Sequence, residues 1–306
     1  MLHFIRKISR FNLWIRKSIL LVSKLLVWFS IKWRVAGVVA VKMNHVSARF
    51  YSQCDDPIVD ALVYGRKYVE YSDLILFLTL AKQSKYIFDI GAFTGLYSIF
   101  SAKSNQTANV YAFEPNPVNF ARLQFNRDIN ALTNLQCYAV AVGSAKSNVN
   151  IHGLESEEIS DTSSVHRDFS QSTYSGVLRL KTIPVQQISI DEFVTSQQIA
   201  RVDLIKIDVE NYEIEVFEGL SKTIQNYRPI VLCEIFLDDW RIRYFNAFVK
   251  ENKYCLYQVI DEGIIRLDSG ILPNHDGLNY LFAPGATHNV FTSFKEIGKM
   301  IIELMR

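Results

Sequence analysis

Phe88-Asp89-Ile90-Gly91-Ala92-Phe93-Thr94-Gly95 is the stretch on which the fold turns. Tyr86–Ile90 reads as a short buried strand, and it runs straight into a glycine turn. A helix follows to about Lys103. Glycine lets the backbone approach a ligand closely, and helix N-terminal amides favour an anionic group. The same order repeats outward from this stretch. Residues 57–83 read as helical. Asn109–Phe113 is a second strand, ending at Glu114-Pro115-Asn116-Pro117. Pro117 stands near the first turn of the next helix, where proline is tolerated. Residues 135–142 are a third strand. Residues 144–176 are polar and include Ser160-Asp161-Thr162-Ser163-Ser164, which predicts a mobile loop or lid over a site. Residues 178–185 read as an edge strand or hairpin arm.

Residues 202–208 and 229–235 are fourth and fifth buried strands, followed by helices at 212–225 and 238–251. Tyr254–Ile260 and 279–283 read as final strands, with a hairpin arm at 264–267. A helix from Ser293 closes the chain. Alternation of this kind predicts an α/β fold, doubly wound, with helices on both faces of a mostly parallel sheet. Ligands in such sheets bind at the carboxyl ends of the strands. The polar residues that end apolar strands are therefore informative: Asp89, Glu114, Asp208 and Glu234.

Of 306 residues, 49% are hydrophobic and 21% charged, ordinary globular usage that excludes a disordered chain. Cys54, Cys137, Cys233 and Cys255 show no paired spacing. Small buried thiols are expected at the last three, and a reducing, cytoplasmic compartment. The net charge of +2 hides an asymmetry: residues 1–45 carry nine Lys/Arg and no Asp or Glu. The body is acidic, which argues against nucleic-acid partners.

The basic segment is also apolar. Ser9/Arg10, Arg16/Lys17 and Ser23/Lys24 recur at heptad spacing, with Trp14 and Trp28 between or beyond them. On a helix this makes a narrow cationic stripe beside a broad apolar face. Residues 1–45 are thus expected to be a basic amphipathic helical arm, 46–84 a helical extension, and 85–306 the main domain. The arm suits peripheral contact with the cytoplasmic face of an anionic membrane. Its cleanest apolar stretch, 19–31, falls short of the ~20 residues of a span. Docking on the body, contact with a second subunit in a homo-oligomer, and a signal anchor are the competing readings.

Two ligand chemistries share the glycine-turn geometry. A dinucleotide site wants G-x-G-x-x-G, whereas only Gly91 and Gly95 occur here. S-adenosylmethionine has no pyrophosphate. Its carboxylate can meet the turn amides, while its ammonium and ribose want acceptors such as Asp89 and Glu114. Glu114 ends the strand 23 residues after Gly91, where an acid can hold two ribose hydroxyls. A second constellation is Leu204-Ile205-Lys206-Ile207-Asp208-Val209-Glu210. Alternation puts Leu204, Lys206 and Asp208 on one face and Ile205, Ile207 and Val209 on the other. Asp208 is expected beside Asp89 if the fourth strand neighbours the first. Glu213 is expected to sit at a helix start for its dipole.

On these residues the chain resembles the FkbM family of S-adenosylmethionine-dependent methyltransferases. The matching segments are 88–95, 111–117, Ile188-Ser189-Ile190-Asp191-Glu192-Phe193, 202–213 and 229–235. The resemblance implies a class I methyltransferase, Rossmann-like fold: a seven-stranded sheet with its last strand antiparallel. It implies methyl transfer, most often to oxygen, on a glycan or other small-molecule acceptor, with S-adenosyl-L-methionine as cofactor. Asp89, Gly91, Ala92 and Gly95 then line the cofactor, and Glu114, with Pro115 beside it, holds the ribose. Asp161 or Ser163 reaches the adenine end, and Asp208 the amino-acid end. Asn211 stands where the family usually has Gly, and Phe93 where Asn is common. Asn tolerates a left-handed backbone.

A hydroxyl acceptor needs a proton acceptor, and Asp208, Glu210 and Glu234 are the candidate carboxylate bases. His152, His166 and His275 are alternatives in polar contexts. No zinc spacing exists, and no metal is assigned. The rival readings are an NAD-dependent nucleotide-sugar oxidoreductase, against which the missing third glycine counts, and a noncatalytic membrane-associated scaffold.

Overall fold

Val39, Val41 and Met43 point inward while their neighbours point out, and across the turn Ala48, Phe50 and Ser52 do the same. This period-two alternation makes β1 (Ala36–Met43) and β2 (Val46–Gln53) an antiparallel hairpin. The expected helical arm and extension therefore give way to strands over 36–53, because β-branched alternation outweighs the charge pattern there. The computed structural model describes residues 34–43, 45–64, 71–154, 159, 163–165, 180–260, 263–273 and 278–285. Most of the expected arm, residues 1–33, and the helix expected from Ser293 lie outside the described residues. Among those described, no helix is long and apolar enough to cross a membrane.

The hairpin leads into α1 (Pro57–Val63) and α2 (Tyr71–Ala81). Asp56 caps α1 by accepting from the Val59 amide at 2.9 Å, and Pro57 follows at the first helical position. The glycine stretch then unfolds as β3 (Tyr86–Ile90), the turn, and α3 (Leu96–Ser104). After it come β4 (Asn109–Phe113), α4 (Pro117–Ile129) and β5 (Leu135–Tyr138). The expected third strand breaks after Tyr138. Its end, β6 (Ala141–Val142), leaves for a separate three-stranded sheet with β7 (Ser147–Leu154) and β8 (Leu180–Ile188), in the order β6-β8-β7. Part of the expected polar loop is thus strand. Val149 and Ile151 alternate with Asn148, Asn150 and His152, and β7 pairs antiparallel with β8.

The chain continues through α5 (Ile190–Ser196), β9 (Leu204–Ile207), α6 (Glu213–Glu218), α7 (Ser221–Tyr227) and β10 (Ile230–Glu234). The helix expected over 212–225 is two short ones, divided at Gly219 and Leu220. Then follow α8 (Asp239–Asn252), β11 (Tyr254–Ile260), β12 (Gly263–Arg266) and β13 (Asn279–Pro284). The main sheet runs β12-β11-β13-β10-β9-β3-β4-β5. Five strands from β5 to β10 are parallel, and β13 inserts antiparallel between β10 and β11. This is the expected seven-stranded order, with the hairpin arm β12 adding an eighth strand at the edge.

Two cores cover the two faces. One contains Leu204 with Ile87, Leu232 and the hairpin's Val39 and Phe50. The other contains Ile205 and Ile207 with Phe88, Phe113 and Phe217. In the second, Phe193 of α5 meets Phe88, Tyr111, Phe113 and Tyr138, all four edge to face. The terminal hairpin belongs to the same body. Arg122 of α4 pairs with Asp55 at 2.9 Å and lies 5.0 Å over the Tyr51 ring. Asn126 and Asn130 accept from the Tyr51 and Arg49 amides. All four cysteines are free; Cys233 is buried, and Cys54, Cys137 and Cys255 are half-buried.

Candidate active site

The chain reverses its walk across the sheet between β3 and β9, and there the strand ends splay around a cleft of about 360 Å³. Small-molecule sites occupy ~300–1,000 Å³ at such switch points. The turn after β3 is pulled against its neighbours. Gly91 and Ala92 both donate to the Phe113 carbonyl at 3.0 Å, and the Asp208 amide donates to the Ile90 carbonyl at 2.9 Å. Gly91 has φ +80°, and a Cβ there would lie 1.7 Å from the Asp208 carbonyl oxygen. Only glycine lets the turn touch the β9 loop. Gly95 differs. It does not line the cleft; a Cβ there would press on Leu123 at 2.5 Å, so it serves helix packing.

Asp89 lines the cleft wall and is buried. Its carboxylate accepts from the Ser98 amide at 3.0 Å and from the Ser98 hydroxyl, tying α3 to β3. Burial raises its pKa to about 6, against the opposing pull of Ser98 and Lys206. Glu114 is also buried. One oxygen accepts from the Phe93 amide at 2.9 Å; the other accepts from the Asn116 amide at 2.8 Å and Asn119 Nδ2 at 3.4 Å. Burial pushes it up to about 7 despite these donors. Phe93 holds a left-handed φ of +50°, which aims its amide at Glu114.

At the other end of the cleft lie Lys206, Asp208, Glu210 and Glu234. β9 neighbours β3 as expected, but the residue in register with Asp89 is Lys206, and the expected Asp208 lies two residues further along, past the end of β9. Lys206 Nζ donates to Asp208 at 3.1 Å and lies 5.1 Å over the Tyr97 ring. Burial works to raise the Asp208 carboxyl. The Lys206 charge and hydrogen bonds from Glu234 and Lys206 outweigh it, so the group stays below the ordinary carboxylate value. Glu210 and Asn211 take left-handed φ values of +54° and +79°. Asn at 211 thus fills a position of glycine geometry, as its side-chain chemistry allows.

Glu213 opens α6 but is buried rather than exposed to the helix dipole. One oxygen accepts from the Asn211 amide at 2.9 Å, the other has no hydrogen-bond partner among the described residues, and burial raises its pKa to about 7. Ser163 reaches the cleft, its hydroxyl accepting from Asn116 Nδ2 at 2.9 Å. Ser164 beside it bridges to His152 and donates to the Glu210 carbonyl. Asp161, His166 and His275 lie outside the described residues. His152 is on β7 and does not line the cleft. Among the described residues, no group of three or more His, Cys, Asp or Glu could hold a metal ion.

Several lining residues carry no sequence signal. Pro57 and Ile58 reach the cleft from α1, where Thr94 of the glycine turn donates to Asp56 at 3.1 Å. Tyr97, Asn119 and Tyr212 join from helix starts. Of these, only Asn119 was within reach of sequence reasoning, one helical turn after Asn116. Val140, Val142, Ile151 and Phe113 give the Glu114 side an apolar floor.

The family described as Methyltransferase FkbM domain matches residues 89–259. The chain is 27% identical over 216 residues to hexuronic acid methyltransferase AglP of Haloferax volcanii, covering 69% of this chain and 80% of that protein. It is 22% identical to Methyltransferase 1 of Beauveria bassiana, over 44% of this chain and 58% of that protein. Among solved structures, an FkbM methyltransferase from Methylobacillus flagellatus aligns at a TM-score of 0.43 and 15% identity, covering 74% of this chain and 55% of that one.

Proposed function

From the premise that the chain belongs to the FkbM methyltransferase family, with S-adenosylmethionine as its cofactor, we propose that it methylates a sugar hydroxyl in a glycan or related small-molecule intermediate. The observation that carries this reading is the split of the cleft into two chemically distinct ends. At one end Glu114, backed by two amides, stands above an apolar floor. At the other, Asp208 and Glu234 stand at the ends of adjacent strands, with Lys206 donating to Asp208.

The residues present fit the cofactor. Glu114 Oε2, which accepts only from Phe93, keeps an open lone pair for one ribose hydroxyl, and the second hydroxyl would replace the long 3.4 Å contact from Asn119 on the other oxygen. The apolar Val140, Val142 and Phe113 suit a flat purine, with Ser163 and Asn116 at its rim. Asp89 and the Gly91 and Ala92 turn suit the amino-acid end. When bound, S-adenosylmethionine supplies an activated methyl, so that an O–C bond forms as the S–C bond breaks and the sulfonium becomes a neutral thioether. The chain has to align the hydroxyl, exclude water and take one proton. Asp208 is the acceptor for that proton, Glu234 the carboxyl beside it on the next strand, and Glu210 the further carboxylate at the same rim. The uronic-acid activity named for the AglP relative supports a sugar acceptor. The cationic, apolar sequence of residues 1–33 supports peripheral membrane contact, and residues 85–306 supply the methyltransferase domain.

Calorimetric titration with S-adenosylmethionine, S-adenosylhomocysteine and NAD tests the cofactor site, and transfer of labelled methyl to a panel of neutral and uronic sugars tests the acceptor. Micromolar binding of the first two alone, with transfer to a sugar, is the expected result. Asp208→Asn is expected to reduce transfer at least ~100-fold, the usual scale of a lost proton acceptor, while S-adenosylhomocysteine still binds. Binding of NAD alone, or no transfer to any sugar, refutes the reading.

A further inference from the structure

Lys206 is the one fully buried cation in the described part of the sheet, 1% exposed between Ile205 and Ile207 on a central strand. Burying an ammonium costs several kcal/mol unless it is well paired, so its surroundings bear on why it is there. From β3 it faces Asp89, whose carboxylate is already engaged by Ser98. From α3 it meets the face of Tyr97 at 5.1 Å. From β10, Cys233 lies within its field and in that of Glu234, and from α6 Glu213 lies in the field of Asp208. Its Nζ reaches the Oδ2 of Asp208 at 3.1 Å. Glu234 follows Cys233, which pairs with Ile207, so it ends β10 beside Asp208, and both line the cleft; two carboxyl groups that occupy one site share one proton.

We propose that Lys206 is a positioning residue: its ammonium makes Asp208 the charged member of the carboxyl pair and leaves the shared proton on Glu234. The proposal rests on the reading of Asp208 as proton acceptor. Without the cation the two acids are near equivalents, and the proton has no fixed owner. With it, Oδ2 is held toward the sheet and the second oxygen of Asp208 is left to take one proton from the acceptor hydroxyl. The cleft mouth returns that proton to solvent.

The test is carboxyl-carbon NMR of the full chain labelled at Asp Cγ and Glu Cδ, titrated with and without S-adenosylhomocysteine. Asp208→Asn and Glu234→Gln assign the two signals. In the wild-type chain Asp208 is expected to reach the ionised shift at a lower pH than Glu234; the reverse order overturns the proposal without any Lys206 variant having to fold. In Lys206→Met the Asp208 midpoint is expected to rise by more than about one pH unit, the usual effect of losing an adjacent opposite charge, and Lys206→Arg is expected to restore it. An Asp208 midpoint equal to wild type in folded Lys206→Met refutes it. Failure of the wild-type chain to bind S-adenosylhomocysteine would instead sink the cofactor reading, and the unliganded titration would still decide the role of Lys206.

Discussion

Glu114→Ala separates binding from folding, because the proposed ribose acceptor is also the carboxylate that holds two backbone amides. At pH 8 the wild-type group is ionised in the fold, with its pKa raised from 4.5 to about 7 by burial. At 1.36 kcal/mol per unit, that burial costs the fold about 3 kcal/mol. Alanine relieves this cost but strands the Phe93 and Asn116 amides, at ~1–3 kcal/mol for each orphaned donor. The two terms largely cancel, so the urea midpoint is expected to move little. Affinity has no such compensation. A diol loses two hydrogen bonds to a charged acceptor, ~1.5–3 kcal/mol each, or a fall of ~100-fold or more in S-adenosylhomocysteine binding. Calorimetry and urea unfolding on the same sample read the two effects. Asn130→Ala, which removes bonds to both polar groups of the Arg49 backbone on the hairpin, is the control that should weaken folding and leave affinity alone. A folded Glu114→Ala chain that binds as tightly as wild type would refute the assignment.

Gly91→Ala is expected to abolish S-adenosylhomocysteine binding and lower the melting temperature, since its Cβ would collide with the Asp208 carbonyl at a positive φ; a thermal melt superimposable on wild type would count against the close approach. Glu213 is raised from 4.5 to about 7, so the stability present below about pH 4.5 is lost as pH rises toward 7. Glu213→Gln should therefore stabilise the chain more at pH 8 than at pH 5, by up to about 3 kcal/mol, and equal effects at both values in urea titrations would contradict this. Arg122→Ala should cost about 3–5 kcal/mol, because it strands a buried Asp55. Limited proteolysis of that variant should cut first between residues 34 and 56, and unchanged resistance would argue that the hairpin is held by its apolar face alone.

The parallel strands were legible because each is a short apolar run ended by a polar residue, and this same punctuation marked Asp89, Glu114, Asp208 and Glu234. Spacing could not separate the two glycines of the turn: Gly91 faces the β9 loop and Gly95 faces Leu123, and both read alike along the chain. The hairpin over 36–53 was hidden because cationic heptads before it continue the helical pattern into Lys42. β7 was hidden by its composition, since its outward positions are Asn and His and it opens on Ser147. Pro57 and Ile58 reach the cleft through a contact with Thr94 made 38 residues away, and no local pattern carries such a contact. The Asp208–Glu234 pairing needed the strand order, which places β9 beside β10.

The insertion of β13 between β10 and β11 has a consequence for synthesis. When a ribosome has released everything up to β12, β10 and β11 each still show an unpaired edge, because the strand that joins them follows both in the sequence. Glu234 at the end of β10 then lacks its neighbour Asn279. The nascent chain thus carries a split sheet with two open, apolar borders, a template for pairing with other chains. Completion of the cleft wall at Glu234 and removal of that hazard are one event, the docking of the six residues of β13. A premature stop before Asn279 is therefore expected to yield an aggregating product rather than a weakened enzyme.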